Sequence, residues 1–126
     1  MKKFFVILGF CIPLAASAQH GWNKITYSQS MFFSAEVLVG KKPAKQGDEV
    51  GAFIDGECRM IAPVLVINGK STISGAIYGD VNEELEEPEE VEFKLWREKN
   101  NTILKTKQRV EMKPGAVLHD YTLKFK

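Results

Sequence analysis

The chain has 126 residues, with 17 Lys and Arg against 16 Asp and Glu, so its formal net charge is +1. Its composition of 44% hydrophobic and 26% charged residues is typical of a single globular domain and excludes a disordered or low-complexity chain. Because the charges nearly balance, no bulk positive field exists to attract nucleic acid or an anionic membrane surface.

The first eighteen residues have the three parts of a secretory signal peptide. Two lysines are followed by an apolar run over residues 4–14, and Ala16-Ser17-Ala18 forms a small-residue cleavage site. The apolar stretch is too short for a membrane span, which needs about 20 residues. We therefore expect residues 1–18 to be removed. This leaves a secreted domain of residues 19–126 with no membrane span, in the periplasm, on the outer surface or outside the cell.

Removal of the signal peptide changes both the charge and the cysteine count. The mature domain has 15 basic and 16 acidic residues, a net charge of −1, and it loses Cys11. Only Cys58 then remains, which excludes an intrachain disulfide. We expect a buried and inert thiol, because free cysteine is among the most buried residue types.

Strand signals begin at Met31. Apolar residues recur at every second position from Met31 to Val39, which predicts a strand whose odd-numbered residues face the core. A polar loop over residues 40–47 follows this strand.

Two turn signals divide the next part of the chain. Asp-Gly and Asn-Gly between apolar runs favour two-residue β-hairpin turns, because both turn residues adopt a positive φ. We therefore predict a three-stranded meander over residues 50–78, and Pro63 indicates an edge or a bulge in its middle strand. Its strands and turns are Val50–Ile54, Asp55-Gly56, Arg59–Ile67, Asn68-Gly69 and Ser71–Tyr78.

The last third of the chain predicts three more strands. Alternation in the final strand places His119 on the same face as Tyr121 and Leu123, which predicts a core histidine. Seven to eight short strands at regular spacing predict an all-β fold, an antiparallel two-sheet β-sandwich, with a small closed β-barrel as the alternative. The three strands are Val91–Arg97, Thr102–Met112 and Val117–Phe125.

The segment from Gly47 to Arg59, with the sequence GDEVGAFIDGECR, resembles a motif of a small β-sandwich module. That module recurs in secreted and surface proteins of Bacteroidetes-type bacteria. The resemblance implies a β-sandwich fold, export and an adhesive or ligand-binding role, and it assigns no catalytic residues. Further matching residues are Trp22, Tyr27, Met31, Ile77-Tyr78-Gly79-Asp80 and Val91-Glu92-Phe93-Lys94-Leu95-Trp96.

Conventional catalytic groups are few in the mature chain, whose two histidines are His20 and His119. His20 lies beside the new N-terminus, where chain ends fray. A Cys58–His119 dyad would be the one conventional nucleophile pair. Both of its residues fall at core-like strand positions without a protease signature. We therefore expect no catalytic residues and no enzymatic activity.

Acidic residues are concentrated at positions 80–92, which hold eight of them in thirteen. Such a run is typical of a solvated loop, and one loop does not provide the opposed carboxyl groups of a glycosidase. Calcium binding is the alternative use, because carboxylate oxygens are calcium ligands, and Asp80, Glu83 and Glu84 are the candidates. Their spacing does not match an EF-hand, and we expect no other cofactor.

Alternation places Trp96 on the outer side of its strand, together with Lys94. An outward tryptophan is typical of modules that bind a glycan or a protein, because its flat ring offers apolar area at low entropic cost. Trp96, Tyr78 and Trp22 are therefore the candidate ligand-binding residues. The alternative is that an overlying segment covers Trp96.

Basic side chains predominate after residue 93, and Lys105, Lys107 and Arg109 share one face of a strand. We expect cross-strand pairs with Glu92 or Glu98, or protection of an edge strand against aggregation, rather than a docking surface.

These features predict a secreted, non-enzymatic binding module of the bacterial envelope or surface that recognises a glycan or an exported protein. One alternative is a structural or assembly subunit that pairs its edge strands with another exported protein. Another is a secreted inhibitor that inserts a hairpin tip such as Asp55-Gly56 into the cleft of its target.

Overall fold

A computed structural model describes residues 20–79 and 88–126, which form nine β-strands and no helix. The predicted signal peptide and the calcium candidates Asp80, Glu83 and Glu84 lie outside the described residues. Within the two described ranges, no helix has the length and apolarity that a membrane crossing requires. The strands are β1 (Gln29–Val39), β2 (Lys42–Pro43), β3 (Glu49–Ile54), β4 (Glu57–Pro63), β5 (Leu65–Ile67), β6 (Lys70–Gly79), β7 (Glu90–Arg97), β8 (Thr102–Glu111) and β9 (Val117–Phe125).

The strands form two sheets, which confirms the predicted β-sandwich. Sheet 1 has β1 at its centre, paired with β6 and the short β2 on one side and with β9 on the other, while β5 lies beyond β6. Sheet 2 has the order β4-β3-β7-β8. Every pairing between the described strands is antiparallel except that of β1 with β9, which is parallel. Residue alternation predicts which face a side chain takes but carries no information on strand direction.

The core lies between the two sheets and follows the predicted alternation. The odd-numbered residues of β1 from Met31 to Val37 are buried, as are Val91 and Leu95 of β7. Phe33 of sheet 1 stacks on Phe93 of sheet 2, with ring centroids 5.0 Å apart. This contact joins the sheets at the centre of the core.

The predicted meander over residues 50–78 is wrong, although both of its turns are present. Asp55 and Asn68 have φ values of 50° and 52°, each followed by a glycine with positive φ, as the two-residue turns require. The predicted middle strand is divided after Pro63, because the chain leaves sheet 2 there and continues as β5 in sheet 1. At the crossing, Val64 is buried and its N–H donates to the carbonyl of Asp48 at 2.9 Å.

A bulge in β9 moves His119 out of its predicted core position. Between the pairs Phe33–Leu118 and Ala35–Tyr121, β1 advances by two residues and β9 by three. Asp120 takes up the extra length with a φ of 59°, and the neighbouring His119 side chain is exposed. The prediction of a core histidine is therefore wrong, because uninterrupted alternation does not hold across a bulge.

Candidate functional site

Residues 20–28, which we call the N-terminal strap, contain no strand and lie against sheet 2. The Ile25 N–H donates to the Cys58 carbonyl at 2.9 Å, so the strap runs beside β4. The His20 side chain is buried, and its Nε2 lies 2.9 Å from Glu49 Oε1. The expectation that His20 frays is therefore wrong, because side-chain contacts with β3 hold this end of the strap.

Aromatic rings fasten the strap to the outer face of sheet 2. Trp22 stacks on His20 with centroids 4.1 Å apart, and it meets Phe53 edge to face at 5.3 Å. Gly51 leaves room for the indole, because a Cβ built there would lie 2.9 Å from two atoms of the Trp22 ring. Lys94 Nζ lies 4.6 Å from the centroid of the Phe53 ring, a cation–π contact.

The hydrogen bonds of His20 settle which ring nitrogen carries the proton in the neutral imidazole. The Trp22 N–H donates to His20 Nδ1 at 2.9 Å, so Nδ1 is the acceptor. His20 Nε2 then donates to Glu49. The imidazole thus links the strap backbone to β3.

Trp96 points outward, as alternation predicts, but its ring is covered. Only 5% of the residue is accessible to solvent. The His20 ring packs edge to face against the Trp96 indole, with ring centroids 5.5 Å apart. The indole Nε1 of Trp96 donates to Asn101 Oδ1 at 2.7 Å. The strap and the side chain of Asn101 therefore cover the Trp96 ring. This is the alternative stated above, that an overlying segment covers Trp96.

The three candidate binding residues do not form one site. Trp96 and Trp22 are brought together through His20 on sheet 2. Tyr78 lies on β6 of sheet 1, with the Lys24 ammonium 5.6 Å from its ring centroid. Trp22 and Trp96 serve packing here, whereas Tyr78 stays half-buried on another face.

Arg59 of the GDEVGAFIDGECR motif is buried at the centre of a polar cluster. Its Nε donates to Glu57 Oε1 at 2.8 Å, and Nη1 donates to the Tyr78 carbonyl at 3.1 Å. Its Nη2 lies 3.7 Å from Glu89 Oε2, and the guanidinium stacks 4.3 Å from the Tyr27 ring centroid. Arg59 thus joins β4 to residues on both sides of positions 80–87.

The carboxyl group of Glu57 takes part in the same cluster. The Tyr27 hydroxyl donates to Glu57 Oε1, and this bond, assisted by the Arg59 charge, lowers the pKa of Glu57 below its ordinary value. The cluster therefore favours the ionised carboxylate. In the sequence, Glu57 and Arg59 stood out only as residues of the motif. No sequence signal indicated that Tyr27 or Glu89 would contact them.

Asp48, also in the motif, fixes the turn before β3. Its carboxylate is buried and accepts hydrogen bonds from the backbone N–H groups of Lys45 and Glu98, each at 3.1 Å. Arg97 Nε lies 3.0 Å from Asp48 Oδ2, an ion pair without hydrogen-bond geometry. Motif residues Asp48, Glu57 and Arg59 therefore hold the scaffold together.

The Cys58 thiol is buried, as predicted. Cys58 lies opposite Phe53 in the β3–β4 pairing, and its Sγ donates to the Met60 carbonyl at 3.5 Å. Burial raises the pKa of the Cys58 thiol. His119 lies on β9 in the other sheet, where its Nδ1 contacts Asp120, so the two residues do not pair as a dyad.

The outer face of sheet 1 carries an apolar platform that the sequence did not single out. Phe32 is 42% exposed and pairs with Val117, which is 64% exposed, on the adjacent parallel strand. Across the antiparallel pair, Phe32 lies opposite Ala76, and Tyr78 lies one outward position further along β6. The platform depends on the parallel pairing of β1 with β9, which no residue pattern indicates.

A polar groove of about 350 Å³ adjoins the platform on the same face. Ser34 and Glu36 supply its side on β1, beginning two residues beyond Phe32, and Thr72 and Thr122 face them from the neighbouring strands. Hydroxyl and carboxylate groups thus lie beside an exposed phenyl ring. Apolar area next to a few convergent polar groups is typical of a ligand-binding surface.

Within residues 20–79 and 88–126, no three His, Cys, Asp or Glu side chains come close enough to share a metal ion. Comparison of the chain with protein-family models, with curated protein sequences and with solved structures found no match. The resemblance to a module of Bacteroidetes-type bacteria therefore stays a prediction from the sequence.

Proposed function

We propose that the protein is an exported, non-enzymatic binding module that recognises a glycan or a protein partner through the outer face of sheet 1. One observation carries this proposal: Phe32 and Val117 lie side by side and exposed on paired strands, next to the polar groove. Export is inferred from the signal-peptide pattern of residues 1–18.

The chemistry of this face favours a glycan as the ligand. The apolar side of a sugar ring packs on an aromatic side chain, and its hydroxyl groups need hydrogen-bond partners. Phe32 offers the ring, while Glu36, Thr72 and Thr122 offer carboxylate and hydroxyl groups in the groove. Tyr78 remains in the proposed site as a flank of the platform, whereas Trp22 and Trp96 hold the strap.

The absence of enzymatic activity is part of the proposal and rests on the thiol and the histidine. A cysteine nucleophile requires a thiolate and a base within hydrogen-bond reach. Burial raises the pKa of Cys58, and His119 belongs to the opposite sheet. Turnover of any substrate that Cys58→Ser abolishes would overturn this part.

The proposed site is tested by binding the purified protein to a glycan array and by affinity capture of exported proteins. Phe32→Ser is expected to weaken binding about tenfold or more, because exposed aromatic side chains dominate such surfaces. Ile103→Ser is the matched control, since Ile103 is 43% exposed on sheet 2. Equal binding by both variants would remove the platform from the site.

An assembly role is the second candidate, and the β5 edge favours it. Leu65, Val66 and Ile67 are all exposed, and among the described strands β5 pairs with β6 alone. A free, apolar edge strand is suited to accept a strand from another protein. Light scattering after size exclusion is expected to show an oligomer that Val66→Lys dissociates. A monomer at all concentrations that captures no exported protein would count against this role.

A further inference from the structure

A groove lies between the facing edge strands of the two sheets, β8 and β9. The Gln108 side chain spans it: Nε2 donates to the Thr122 carbonyl at 2.9 Å, and Oε1 accepts from the Lys124 N–H at 2.7 Å. The groove has a volume of about 570 Å³. Its lining residues are Lys105, Thr106, Lys107, Gln108, Lys124 and Lys126.

The groove is lined mainly by positively charged side chains. Four of its six lining residues are lysines, and the cross-strand neighbour of Lys105 is a fifth, Lys94. Over the described part of the chain, none of these five ammonium groups lies within 4.0 Å of a carboxylate, although Arg109 nearby is paired with Glu92 at 2.8 Å. Like charges placed together repel one another, so an anionic ligand stabilises this arrangement.

The backbone around the groove favours an extended peptide over other polyanions. Among the described strands, β8 pairs with β7 alone, so its second backbone edge is open toward the groove. On β9 the Gln108 side chain already occupies the Thr122 carbonyl and the Lys124 N–H, so β8 is the edge that an added strand would pair with. An added strand satisfies such groups through main-chain hydrogen bonds. The lining holds no aromatic ring on which a nucleic-acid base or a sugar could stack.

We propose that this groove binds an acidic, extended segment of a partner protein. Alternate side chains of a regular strand point to the same side and lie about 7 Å apart. Lys105 and Lys107 are two residues apart on β8, in the stretch where its register with β7 shifts. Acidic residues at every second position of the segment therefore face the lysines. The proposal goes beyond the proposed function, because the groove shares no residue with the platform on sheet 1.

The test is a fluorescence-anisotropy titration of the protein with a labelled peptide of alternating Glu and Thr. The triple variant Lys105→Gln, Lys107→Gln, Lys124→Gln is expected to weaken binding about tenfold or more, with a smaller dependence on salt. The triple variant Lys45→Gln, Lys70→Gln, Lys99→Gln removes the same charge from other exposed positions and is expected to change affinity less than threefold. An equal loss in both variants would assign binding to bulk charge and overturn the proposal.

Two further ligands separate a peptide strand from other anions. The same peptide N-methylated at alternate residues is expected to bind about tenfold more weakly, because its methylated edge can no longer donate main-chain hydrogen bonds. Tighter binding of a sulfated polysaccharide, or unchanged binding of the methylated peptide, would overturn the proposal. Phe32→Ser is expected to leave peptide binding unchanged. The experiment therefore distinguishes a failure of the groove proposal from a failure of the proposed site on sheet 1.

Discussion

The indole of Trp22 occupies the space that Gly51 leaves open on the outer face of sheet 2. A Cβ at position 51 would lie 2.9 Å from Trp22 ring atoms and 2.7 Å from the Phe53 ring, closer than real Cβ contacts come. The missing side chain therefore lets the N-terminal strap dock. Docking buries Trp96, and the exposed platform at Phe32 becomes the stronger candidate for ligand binding.

Gly51→Ala is expected to destabilise the protein by about 1–3 kcal/mol, because the new methyl group overlaps two packed rings. Urea denaturation followed by circular dichroism measures the loss. Gly75→Ala is the control, since its Cβ would meet the flexible Met60 side chain at 3.3 Å and the Ala62 Cβ at 4.0 Å, an ordinary contact. Equal losses in the two variants would show that the Trp22 contact is not the cause.

Trp22→Ala is expected to speed the reaction of Cys58 with a maleimide. The strap covers Cys58, where the Ile25 N–H meets its carbonyl, and burial raises the pKa of the thiol, so the native thiol reacts slowly. Loss of the Trp22 anchor exposes the thiol more often. The labelling rate of Ile103→Ala is expected to equal that of the unmodified protein. Unchanged labelling of Trp22→Ala would contradict the role of the strap.

Glu57→Gln is expected to destabilise the protein near pH 7 and to matter less as the pH falls. The pKa of Glu57 is lowered from its ordinary 4.5 in the folded protein, chiefly by the Tyr27 hydroxyl. Its stabilising contribution is therefore complete above the unfolded pKa and is lost as the pH falls through the lower, folded value. Chemical denaturation of both proteins at several pH values measures the difference. A stability difference between the two proteins that grows as the pH falls below 4.5 would contradict this prediction.

Asp48→Ala is expected to cost about 3–5 kcal/mol, because it leaves the partly buried Arg97 charge without its partner. The backbone N–H groups of Lys45 and Glu98 also lose their acceptor. Asp48→Asn keeps an acceptor oxygen but not the charge. Its stability in thermal denaturation is therefore expected to lie between those of Asp48→Ala and the unmodified protein. An alanine variant as stable as the unmodified protein would remove Asp48 from the scaffold.

Local patterns predicted the strands, the hairpin turns at Asp55 and Asn68, and the outward direction of Trp96. These features depend on residue alternation and on backbone conformation, both of which are local properties of the chain. Alternation could not predict that Trp96 is covered, because the covering residue, His20 of the strap, is distant from Trp96 in sequence.

The platform at Phe32 was missed for a related reason. Phe32 is an ordinary outward residue of its strand until the parallel pairing of β1 with β9 places Val117 beside it. The pairing direction, the bulge at Asp120 and the change of sheet after Pro63 all follow from packing between segments far apart in sequence. Alternation within one strand carries no signal for any of them.

The most direct test of the sheet 1 binding face is an NMR titration of the isotope-labelled protein with the glycan or partner that the binding screens identify. The proposal predicts that amide shifts concentrate in β1, β6 and β9 around Phe32, Ala76 and Val117. Shifts that concentrate around Trp22 and Trp96 on sheet 2, with the sheet 1 amides unmoved, would contradict it.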